Sequence, residues 1–489
     1  MKTIALNTTA NVTAAAYIIR RVAGVWSAMG TGCNEQVHQI VVDPANGTVY
    51  ACGIFTLAGG VANTVYLAKW DGAAWTPLGV GLNGAAYCMA VAPNGDVYIG
   101  GTFTDIVGGG GGTYNKIIMW DVSGSTWAAV GAGLDGDVDA LAIDSVGDVY
   151  AGGDFGDLLG GGLANANFIA KWDISASAWV ALGTGMNAAV ADLAVDTSDN
   201  VYAVGAFTTG NAVTLNYVGM WNGTTFVAMA GDETGADAAC TAVVVASNGL
   251  VYVSGNTDDF GGTAAAMIAS WNGATFTALG DGLQASADDL ALDDDGNLYA
   301  VGGFTTAGGM AIAARIAMWN GSIWAPIDID LPGAPTPQAL CIFGDRLFIG
   351  FDTTGTATTS GEPASTITNS TTMYLYPKFI FTRSGGTTAV LESIRNLTTG
   401  KQLLFNHSLL DGEEVTIDLA PGKKTIQTIA GSSTSSAKRD MLASSDIATF
   451  ALAPGVNDIR TYISVTGAPT LGAFVQWEQR YSGIDGAAA

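Results

Sequence analysis

Side chains that could do catalysis are scarce in this sequence. It contains two histidines, His38 and His407, which fall in different halves of the chain. No HExxH pair, Cys/His cluster or GxSxG turn occurs, so zinc hydrolysis and serine chemistry lack their parts. His38 precedes a strand-like run and is interpreted as structural. We therefore predict a protein that is not an enzyme, with no catalytic residue, no metal and no cofactor.

Aspartates recur in phase with a repeat, at Asp43, Asp144, Asp196 and Asp293. This favours turn capping, because an aspartate accepts hydrogen bonds from the backbone two residues on. A glycosidase needs two carboxylates in different environments, and the sequence singles out no such pair. The run Asp293–Gly296 is an alternative calcium loop. It lacks the closing glutamate of an EF-hand, so an ordinary acidic turn is favoured.

One set of loops carries the candidate ligand-binding residues. A Gly-x-Gly-apolar-polar pattern recurs, and its polar positions are Asn34, Asn83, Asp135, Asn187 and Gln284. Small polar side chains around a shallow pit suit sugar hydroxyls. The alternative is that these residues only cap turns, and the sequence favours that alternative.

Composition and charge limit the class of protein. A chain of 489 residues exceeds one ordinary core, and 67 glycines with 12 prolines indicate many tight turns between short strands. No apolar run is long enough to span a membrane, and the N-terminus lacks the apolar core of a secretory signal. The net charge of −25 opposes nucleic-acid binding.

The charge is distributed unevenly along the chain. Residues 1–361 hold 8 Lys and Arg against 32 Asp and Glu, whereas residues 362–489 hold 10 against 11. The texture of the sequence changes at the same place. We therefore expect one domain over 1–361 and a second over 362–489.

Five cysteines are present, an odd number without a CxxC pair. Cys88, Cys240 and Cys341 fall at comparable places in apolar runs and are interpreted as small buried hydrophobic residues. A disulfide between Cys33 and Cys52 stays open as an alternative.

Internal repetition predicts the fold of residues 1–361. A tyrosine follows a turn at intervals of 47 to 52 residues, at Tyr50, Tyr98, Tyr150, Tyr202, Tyr252 and Tyr299, with Phe348 as a seventh member. A tryptophan recurs with the same period, at Trp70, Trp120, Trp172, Trp221, Trp271 and Trp319. Each period contains four strand-like runs, in the third period Val138–Asp144, Val149–Phe155, Phe168–Trp172 and Trp179–Leu182. Four antiparallel strands per period describe one blade of a β-propeller.

The two ends of the repeat region complete one another. Six full units are followed by the half unit 338–351. Ala15–Trp26 aligns without gaps on Ala313–Trp324, with Arg21 in place of the repeated tryptophan. The N-terminus is therefore expected to supply the third and fourth strands of a seventh blade, which removes open sheet edges. The order of Tyr, Gly-Gly and paired Trp, as in Leu298–Phe304, resembles the kelch type of propeller repeat.

The C-terminal part reads as a series of short strands separated by Gly, Pro and Asn turns, which predicts an antiparallel β-sandwich. The expected strands are Met373–Thr382, Val390–Asn396, Gln402–Asn406, Glu414–Leu419, Lys424–Ile429, Ala448–Leu452, Asp458–Val465 and Ala473–Arg480.

Three motifs in this part occur in a recognisable order. They are an Asn-x-Thr-Thr-Gly turn at Asn396–Gly400, a Gly-Glu-x-x-x-Ile-Asp strand at Gly412–Asp418, and a Pro-Gly-x-Asn turn at Pro454–Asn457. The region resembles the galectin-like C-terminal sandwich of siphophage distal tail proteins. The N-terminal ring-forming domain of that family is missing here, and a propeller stands in its place.

The resemblance implies a structural or binding component of a bacteriophage tail or baseplate, located in the virion and made in the host cytoplasm. The sandwich would serve assembly, and the propeller would project outward toward a host surface glycan. The expected partners are other tail or baseplate proteins and further copies of the chain, with neither nucleic acid nor membrane insertion. The alternatives are a bacterial surface or secreted glycan-binding adhesin and a propeller enzyme such as a sialidase or lyase.

The scarcity of catalytic residues generates a first prediction. The purified protein is expected to turn over no glycoside, ester or peptide, because no nucleophile, base or metal set is available. Assays with chromogenic substrates of each class measure this. The loops that carry the candidate ligand-binding residues ring one mouth of the propeller's central channel. Activity that disappears when one carboxylate at this mouth is changed to its amide would refute the prediction.

Overall fold

The computed structural model describes two parts of the chain. In the propeller it describes residues 17–22, 25–109, 114–159, 162–163, 165–229, 233–312, 315–327 and 336–352. Elsewhere it describes the strand residues 2–5, 365–369, 378–384, 388–396, 401–409, 413–418, 425–430, 433–435, 455–466 and 470–477. The described residues form strands and turns and contain no helix.

Seven four-stranded antiparallel sheets form the blades of a β-propeller, as the repeat predicts. We number the blades by their first strands, which are Val37–Val42, Ala86–Val91, Asp137–Ile143, Val190–Val195, Cys240–Val245, Ala287–Leu292 and Pro337–Phe343. The second strands are Val49–Gly53, Val97–Gly101, Val149–Asp154, Val201–Gly205, Val251–Gly255, Leu298–Gly302 and Arg346–Phe351.

The third and fourth strands complete each blade. The third strands are Leu67–Trp70, Ile117–Asp121, Ile169–Asp173, Val218–Trp221, Ile268–Trp271, Ile316–Trp319 and, for blade 7, Ile18–Val22. The fourth strands are Trp75–Pro77, Thr126–Ala129, Ala178–Ala181, Phe226–Ala228, Phe276–Ala278, Trp324–Pro326 and, for blade 7, Val25–Ala28. Small hairpins in blades 4 to 6 pair Thr209–Gly210 with Val213–Thr214, Asp259–Phe260 with Thr263–Ala264, and Thr306–Ala307 with Met310–Ala311.

The blades close into a ring through their first strands. Each first strand contacts the first strands of both neighbouring blades, and the strand of blade 7 contacts that of blade 1. Blade 7 is built from both ends of the repeat region, because Ile18–Val22 pairs with Arg346–Phe351 in antiparallel register. The predicted clasp is therefore confirmed.

Aromatic pairs hold the outer strands of each blade together. The repeated tryptophan of the third strand faces a Trp or Phe of the fourth strand, with ring centroids between 4.7 and 5.6 Å apart in blades 1 to 6. In blade 7, Arg21 takes the place of that tryptophan, and its guanidinium carbon lies 5.8 Å from the Trp26 ring centroid. A cation–π contact thus replaces the aromatic pair.

Glycines in the second strands permit close packing of the backbone. A Cβ at Gly53 would overlap the carbonyl oxygen of Gln36, and one at Gly153 would overlap that of Asp137. These glycines therefore allow neighbouring backbone segments to approach closely.

The residue before each third strand is left-handed although it is not a glycine. Its φ lies between 56° and 70° at Tyr17, Tyr66, Lys116, Phe168, Tyr217, Met267 and Arg315. At Tyr66 the reason is hydrogen bonding, since its N–H donates to the Phe55 carbonyl at 2.7 Å and its carbonyl accepts from Gly53 N–H at 3.1 Å. A bulky side chain in this conformation is strained. In blades 1, 3, 4, 5 and 7 the side chain packs against the apolar core shared with the next blade.

The remaining strands form a second compact unit. Contacts divide the chain into residues 12–358 and a unit of residues 1–11 with 359–489. One sheet contains, in order, Lys2–Ala5, Thr470–Trp477, Lys378–Ser384, Glu413–Asp418, Thr425–Ala430 and Ser433–Ser435. The other contains Ser365–Asn369, Gly455–Thr466, Thr388–Asn396 and Lys401–Leu409. The expected strand Ala448–Leu452 lies outside the described residues.

The N-terminal strand differs from the expectation that residues 1–361 form one domain. Lys2–Ala5 pairs with Thr470–Trp477, in the register Lys2 to Trp477, and so belongs to the second unit. A backbone edge of the final strand is satisfied by this pairing. The sequence contains no sign of it, because four residues carry too little pattern to indicate a partner.

The clasp generates a second prediction. Removal of residues 1–28 takes both clasp strands from blade 7, so the protein is expected to aggregate through the exposed edge of Arg346–Phe351. Removal of residues 1–11 alone leaves the clasp intact and serves as the control. Light scattering and thermal unfolding measure both. A soluble chain without residues 1–28 that unfolds cooperatively would contradict the prediction.

Candidate binding site

The loop residues predicted to bind ligand occupy equivalent positions before the first strands. Asn34 shows their arrangement: its Oδ1 accepts from the N–H groups of Thr56 and Leu57, both at 2.9 Å, and its Nδ2 donates to Thr56 Oγ1 at 2.9 Å. The side chain therefore joins the loop before the first strand to the loop after the second strand of the same blade.

The other members of this set make the same connection. Their side-chain oxygens accept hydrogen bonds from backbone N–H groups in the loop after the second strand. Asn83 accepts from Thr104 and Asp105, and Asp135 accepts from Gly156 and Asp157. Asn187 accepts from Thr208 and Thr209, and Gln284 accepts from Thr305. All five side chains are exposed. Their acceptor atoms already bind the backbone, which supports the turn-capping alternative.

Sequence reasoning missed a sixth member of this set. Asp237 occupies the position in blade 5 and accepts a hydrogen bond from Thr257 Oγ1. Its Gly-x-Gly signal is incomplete, because Glu233 stands where the first glycine is expected. The bridge between Ala236 and Phe260 is the feature that reveals the equivalence, since matching bridges occur in blades 1 to 4 and 6.

A bulge in every first strand builds a second ring of side chains at the same end of the blades. The register shifts between the first and third residues of each bulge, for example between Val37 and Gln39. A bulge changes the direction in which the side chain of the extra residue points. The bulge residues of blades 1 to 7 are His38, Tyr87, Asp139, Ala191, Thr241, Asp288 and Gln338.

Two of these bulge residues form an aromatic surface. The rings of His38 and Tyr87 stack, with centroids 5.1 Å apart and an interplanar angle of 23°. Burial lowers the pKa of His38 below 6.5, so its imidazole is neutral at pH 7. Its Nε2 atom is enclosed and has no hydrogen-bond partner among the described residues. The interpretation of His38 as purely structural leaves this nitrogen unexplained.

Carboxylates stand beside this aromatic pair. Burial, reinforced by the charges of Asp137 and Asp154, raises the pKa of Asp139 to about 6. Burial and the nearby charges of Asp137 and Asp139 also raise the pKa of Tyr87, so the phenol stays protonated. In blade 6, burial and the charge of Asp352 raise the pKa of Asp288 to about 6. At pH 7 both bulge carboxylates are mainly ionised.

Polar contacts fix the surroundings of these groups. Lys116 Nζ donates to Asp137 Oδ1 at 2.7 Å and to the Thr102 carbonyl at 3.1 Å. Gln36 Nε2 donates to Gln338 Oε1 and so links blade 1 to blade 7. The mouth therefore offers a stacked ring pair, carboxylates and amides from successive blades. These groups can accept and donate hydrogen bonds to a hydroxylated ligand.

In three blades the residue after the bulge serves a different purpose. Gln39 Oε1 accepts from Met89 N–H, Asp192 Oδ2 from Val243 N–H at 2.8 Å, and Asp289 Oδ2 from Leu340 N–H at 2.7 Å. In each case the side chain reaches the first strand of the next blade. These three residues therefore fasten blades 1 to 2, 4 to 5 and 6 to 7.

Burial of the two acidic members alters their titration. Asp192 as a residue is half-buried, but protein atoms enclose its carboxylate. This desolvation raises its pKa to about 7, against the opposing effect of its bonds to Val243 and Leu193. Desolvation, together with the charge of Asp192, raises the pKa of Asp289 well above its usual range.

The repeated aspartates cap turns, as predicted. Asp144 Oδ1 accepts from Val146, Gly147 and Asp148 N–H groups. Asp293, the candidate calcium ligand, uses Oδ1 for Asn297 N–H at 2.8 Å and Oδ2 for Asn297 Nδ2 at 2.8 Å. These bonds support the acidic-turn alternative.

Other candidate sites carry less chemistry. All five cysteines are free thiols, and four of them are buried. Among the described residues, no group of three His, Cys, Asp or Glu side chains could hold a metal ion. The same part of the chain has no helix that could cross a membrane.

No family model matches the chain, and no curated protein matches it. The extracellular domain of the two-component system BT4673 from B. thetaiotaomicron aligns with a TM-score of 0.45 and 11% identity, over 81% of this chain and 45% of that chain. This chain thus spans less than half of that protein's length. YCF48 bound to a D1 peptide aligns with a TM-score of 0.42 and 12% identity, over 70% of this chain and 99% of that chain. The WD40 β-propeller domain of Doa1 aligns with a TM-score of 0.41 and 14% identity, over 66% of this chain and 91% of that chain.

The strand pairing by itself defines the class. Residues 17–352 form a closed seven-bladed β-propeller whose mouth carries an aromatic pair and carboxylates.

The buried aspartates generate a third prediction. Between about pH 4 and pH 7 the unfolded chain has lost the Asp192 proton while the folded protein keeps it. The free energy of unfolding therefore falls as pH rises, by at most about 1.4 kcal/mol per pH unit for one proton. Asp192→Asn is expected to reduce this fall, measured by urea unfolding near pH 5 and pH 7.

Two comparisons isolate that effect. Asp199→Asn is the control, because this exposed carboxylate has a lowered pKa and does not titrate in that window. Titration of His38 makes the free energy of unfolding rise with pH, which is the opposite sign. His38 is unchanged in both variants, so its contribution cancels when they are compared with the wild type. Equal pH dependence in the wild type and Asp192→Asn would contradict the prediction.

Proposed function

We propose that this protein is a structural and attachment component of a bacteriophage tail or baseplate and performs no catalysis. Its second unit, residues 1–11 with 359–489, serves assembly with other virion proteins and further copies of the chain. Its propeller projects outward and binds a host surface glycan at the channel mouth. The order of the three motifs in the C-terminal part is the observation that carries the proposal.

The positions of the first two motifs support this assignment. Asn396, the first residue of the first motif, ends one strand and pairs with Lys401 at the start of the next. Glu413–Asp418 is a strand that contains the Glu and Ile-Asp of the second motif. The third motif differs from its predicted turn, because Gly455, Val456 and Asn457 lie within the strand Gly455–Thr466 and pair with Asn369, Thr368 and Ile367. The proposal therefore rests on the order of the motifs and on the positions of the first two.

The charge of the two units supports the division of roles. The propeller unit, residues 12–358, holds 7 Lys and Arg against 32 Asp and Glu, whereas the second unit holds 11 against 11. Many acidic propellers packed together would repel one another. A neutral unit with sheet edges packs against neighbours at little electrostatic cost. Assembly is therefore assigned to the second unit.

The mouth geometry supports a sugar as the ligand of the propeller. Aromatic rings offer an apolar surface to the C–H face of a sugar, and carboxylates and amides bind its hydroxyls. His38 and Tyr87 supply the rings, and Asp139 supplies the carboxylate.

The two bulge carboxylates lie in different blades. Asp139 lies in blade 3, and Asp137 and Asp154 are the charges that raise its pKa. Asp288 lies in blade 6, and Asp352 is the charge that raises its pKa. A glycosidase pair acts on one bond from a short distance. We therefore assign these two carboxylates to ligand binding.

The sugar site generates a fourth prediction. A glycan array is expected to yield a ligand, and Tyr87→Ala is expected to weaken its binding at least about tenfold, because the stacking surface is lost. Thr241→Ala, at the same bulge position in blade 5, is the matched control and should bind within about twofold of wild type. Calorimetry with the array ligand measures both. Wild-type affinity in Tyr87→Ala would exclude the mouth as the site.

A separate experiment tests assembly. A chain that joins residues 359–489 to residues 1–11 through a short linker keeps the pairing of Lys2–Ala5 with Thr470–Trp477. It is expected to enter tails or self-associate, while residues 12–358 stay monomeric in sedimentation. The reverse result would refute the tail assignment. Glycan binding without any assembly would favour the adhesin alternative.

A further inference from the structure

Exposed aliphatic side chains gather on one part of the mouth face. Five of them have exposed fractions between 36% and 44%. They are Ile54 (36%), Leu57 (39%), Val80 (38%), Val107 (41%) and Leu159 (44%). Val80 lies in the loop from blade 1 to blade 2, and the others lie in loops after the second strands of blades 1, 2 and 3. We call these five residues the apolar arc.

Backbone hydrogen bonds connect the loops of the apolar arc. Leu82 N–H donates to the Val65 carbonyl at 3.2 Å and joins the loop of Val80 to blade 1. Val107 N–H donates to the Gly81 carbonyl at 3.0 Å, which places Val107 beside Val80. Leu159 N–H repeats this bond with Gly133 at 3.2 Å. The arc therefore runs along adjacent loops from blade 1 to blade 3.

The other half of the ring shows that the fold does not require these aliphatic residues. Leu57 precedes the bridge residue Ala58, and the equivalent positions in blades 4 and 6 are Thr209 and Thr306. Val80 corresponds in the same way to Thr184 and Asp281. The scaffold accepts polar residues at these places, so exposed aliphatic residues in blades 1 to 3 need another explanation.

Negative charge accompanies the apolar arc. The same loops and strand ends carry the carboxylates Glu35, Asp105, Asp135, Asp154 and Asp157. Of the three described lysines in blades 1 to 3, Lys69 and Lys171 lie within third strands, and Lys116 is ion-paired with Asp137. An approaching partner thus meets aliphatic side chains set among carboxylates. A second acidic propeller would be repelled by this surface.

We propose that the apolar arc is a docking surface for a protein segment in which aliphatic residues alternate with lysine or arginine. The aliphatic side chains of the partner cover Leu57, Val80 and Val107, and its cationic groups pair with the surrounding carboxylates. Apolar contact provides the affinity, and charge provides the orientation and selects against acidic partners. This surface is distinct from the ring of bulge residues and does not depend on sugar binding.

The test uses the full chain and short synthetic peptides. One peptide alternates lysine with leucine and valine, a second replaces lysine by glutamate, and a third replaces leucine and valine by serine. Fluorescence anisotropy at physiological ionic strength measures binding. The wild-type protein is expected to bind the first peptide saturably, the serine peptide at least about tenfold more weakly, and the glutamate peptide not at all.

Substitutions locate the site. Leu57→Thr, Val80→Thr and Val107→Thr are combined, because threonine occupies the first two equivalent positions elsewhere in the ring and folding is preserved. This variant is expected to bind the first peptide at least about tenfold more weakly. Val146→Thr with Val180→Thr, at aliphatic residues that are 69% and 41% exposed outside the arc, should bind as wild type. Equal binding by the triple variant, equal binding of the serine peptide, or no binding by wild type overturns the proposal.

Discussion

The closed ring of first strands is the constraint on which the structure depends. A propeller blade buries its faces only against two neighbours, so a seven-bladed ring is stable only when the last blade meets the first. Here the final blade is assembled from residues about 330 positions apart, with Ile18–Val22 beside Arg346–Phe351. Arg20 strengthens the closure, because its guanidinium lies 5.5 Å from the Trp70 ring of blade 1. The clasp thus joins both ends of the repeat region in one sheet. As a result, neither blade 7 nor blade 1 has an open face.

The bulge in each first strand links this architecture to the chemistry of the mouth. An extra residue bends the strand and turns one side chain toward the mouth, while in blades 1, 4 and 6 the next residue reaches the neighbouring blade. His38, Tyr87 and Asp139 take the first role, and Gln39, Asp192 and Asp289 take the second. One backbone feature therefore supplies both the surface proposed to bind a ligand and the bonds between blades. The cost is a set of desolvated carboxylates, whose raised pKa values make ring stability depend on pH.

Near-symmetry allows the functional and the structural parts of the surface to be separated. Positions that are alike in all blades, such as the left-handed residue before each third strand, serve the fold. Positions whose residue type differs between blades are not required by the fold. The stacked rings of His38 and Tyr87 and the apolar arc fall in blades 1 to 3, whereas the bulge carboxylates are divided between Asp139 in blade 3 and Asp288 in blade 6. The one-sided distribution of the rings and exposed aliphatic residues is the reason to propose binding in that half of the mouth.

The sequence by itself determined the seven blades, their strands and the clasp, because each blade is a local meander whose strands are near one another in the chain. Turn capping by Asp144 and Asp293 followed from the same local physics. Only the tertiary structure decided the rest. The ring of bulge residues joins side chains about fifty positions apart, and the short, largely apolar first strands carry too little alternation to reveal a register shift of one residue. The pairing of Lys2–Ala5 with Thr470–Trp477 was likewise invisible, since a four-residue strand finds its partner through the edge that the folded sheet presents.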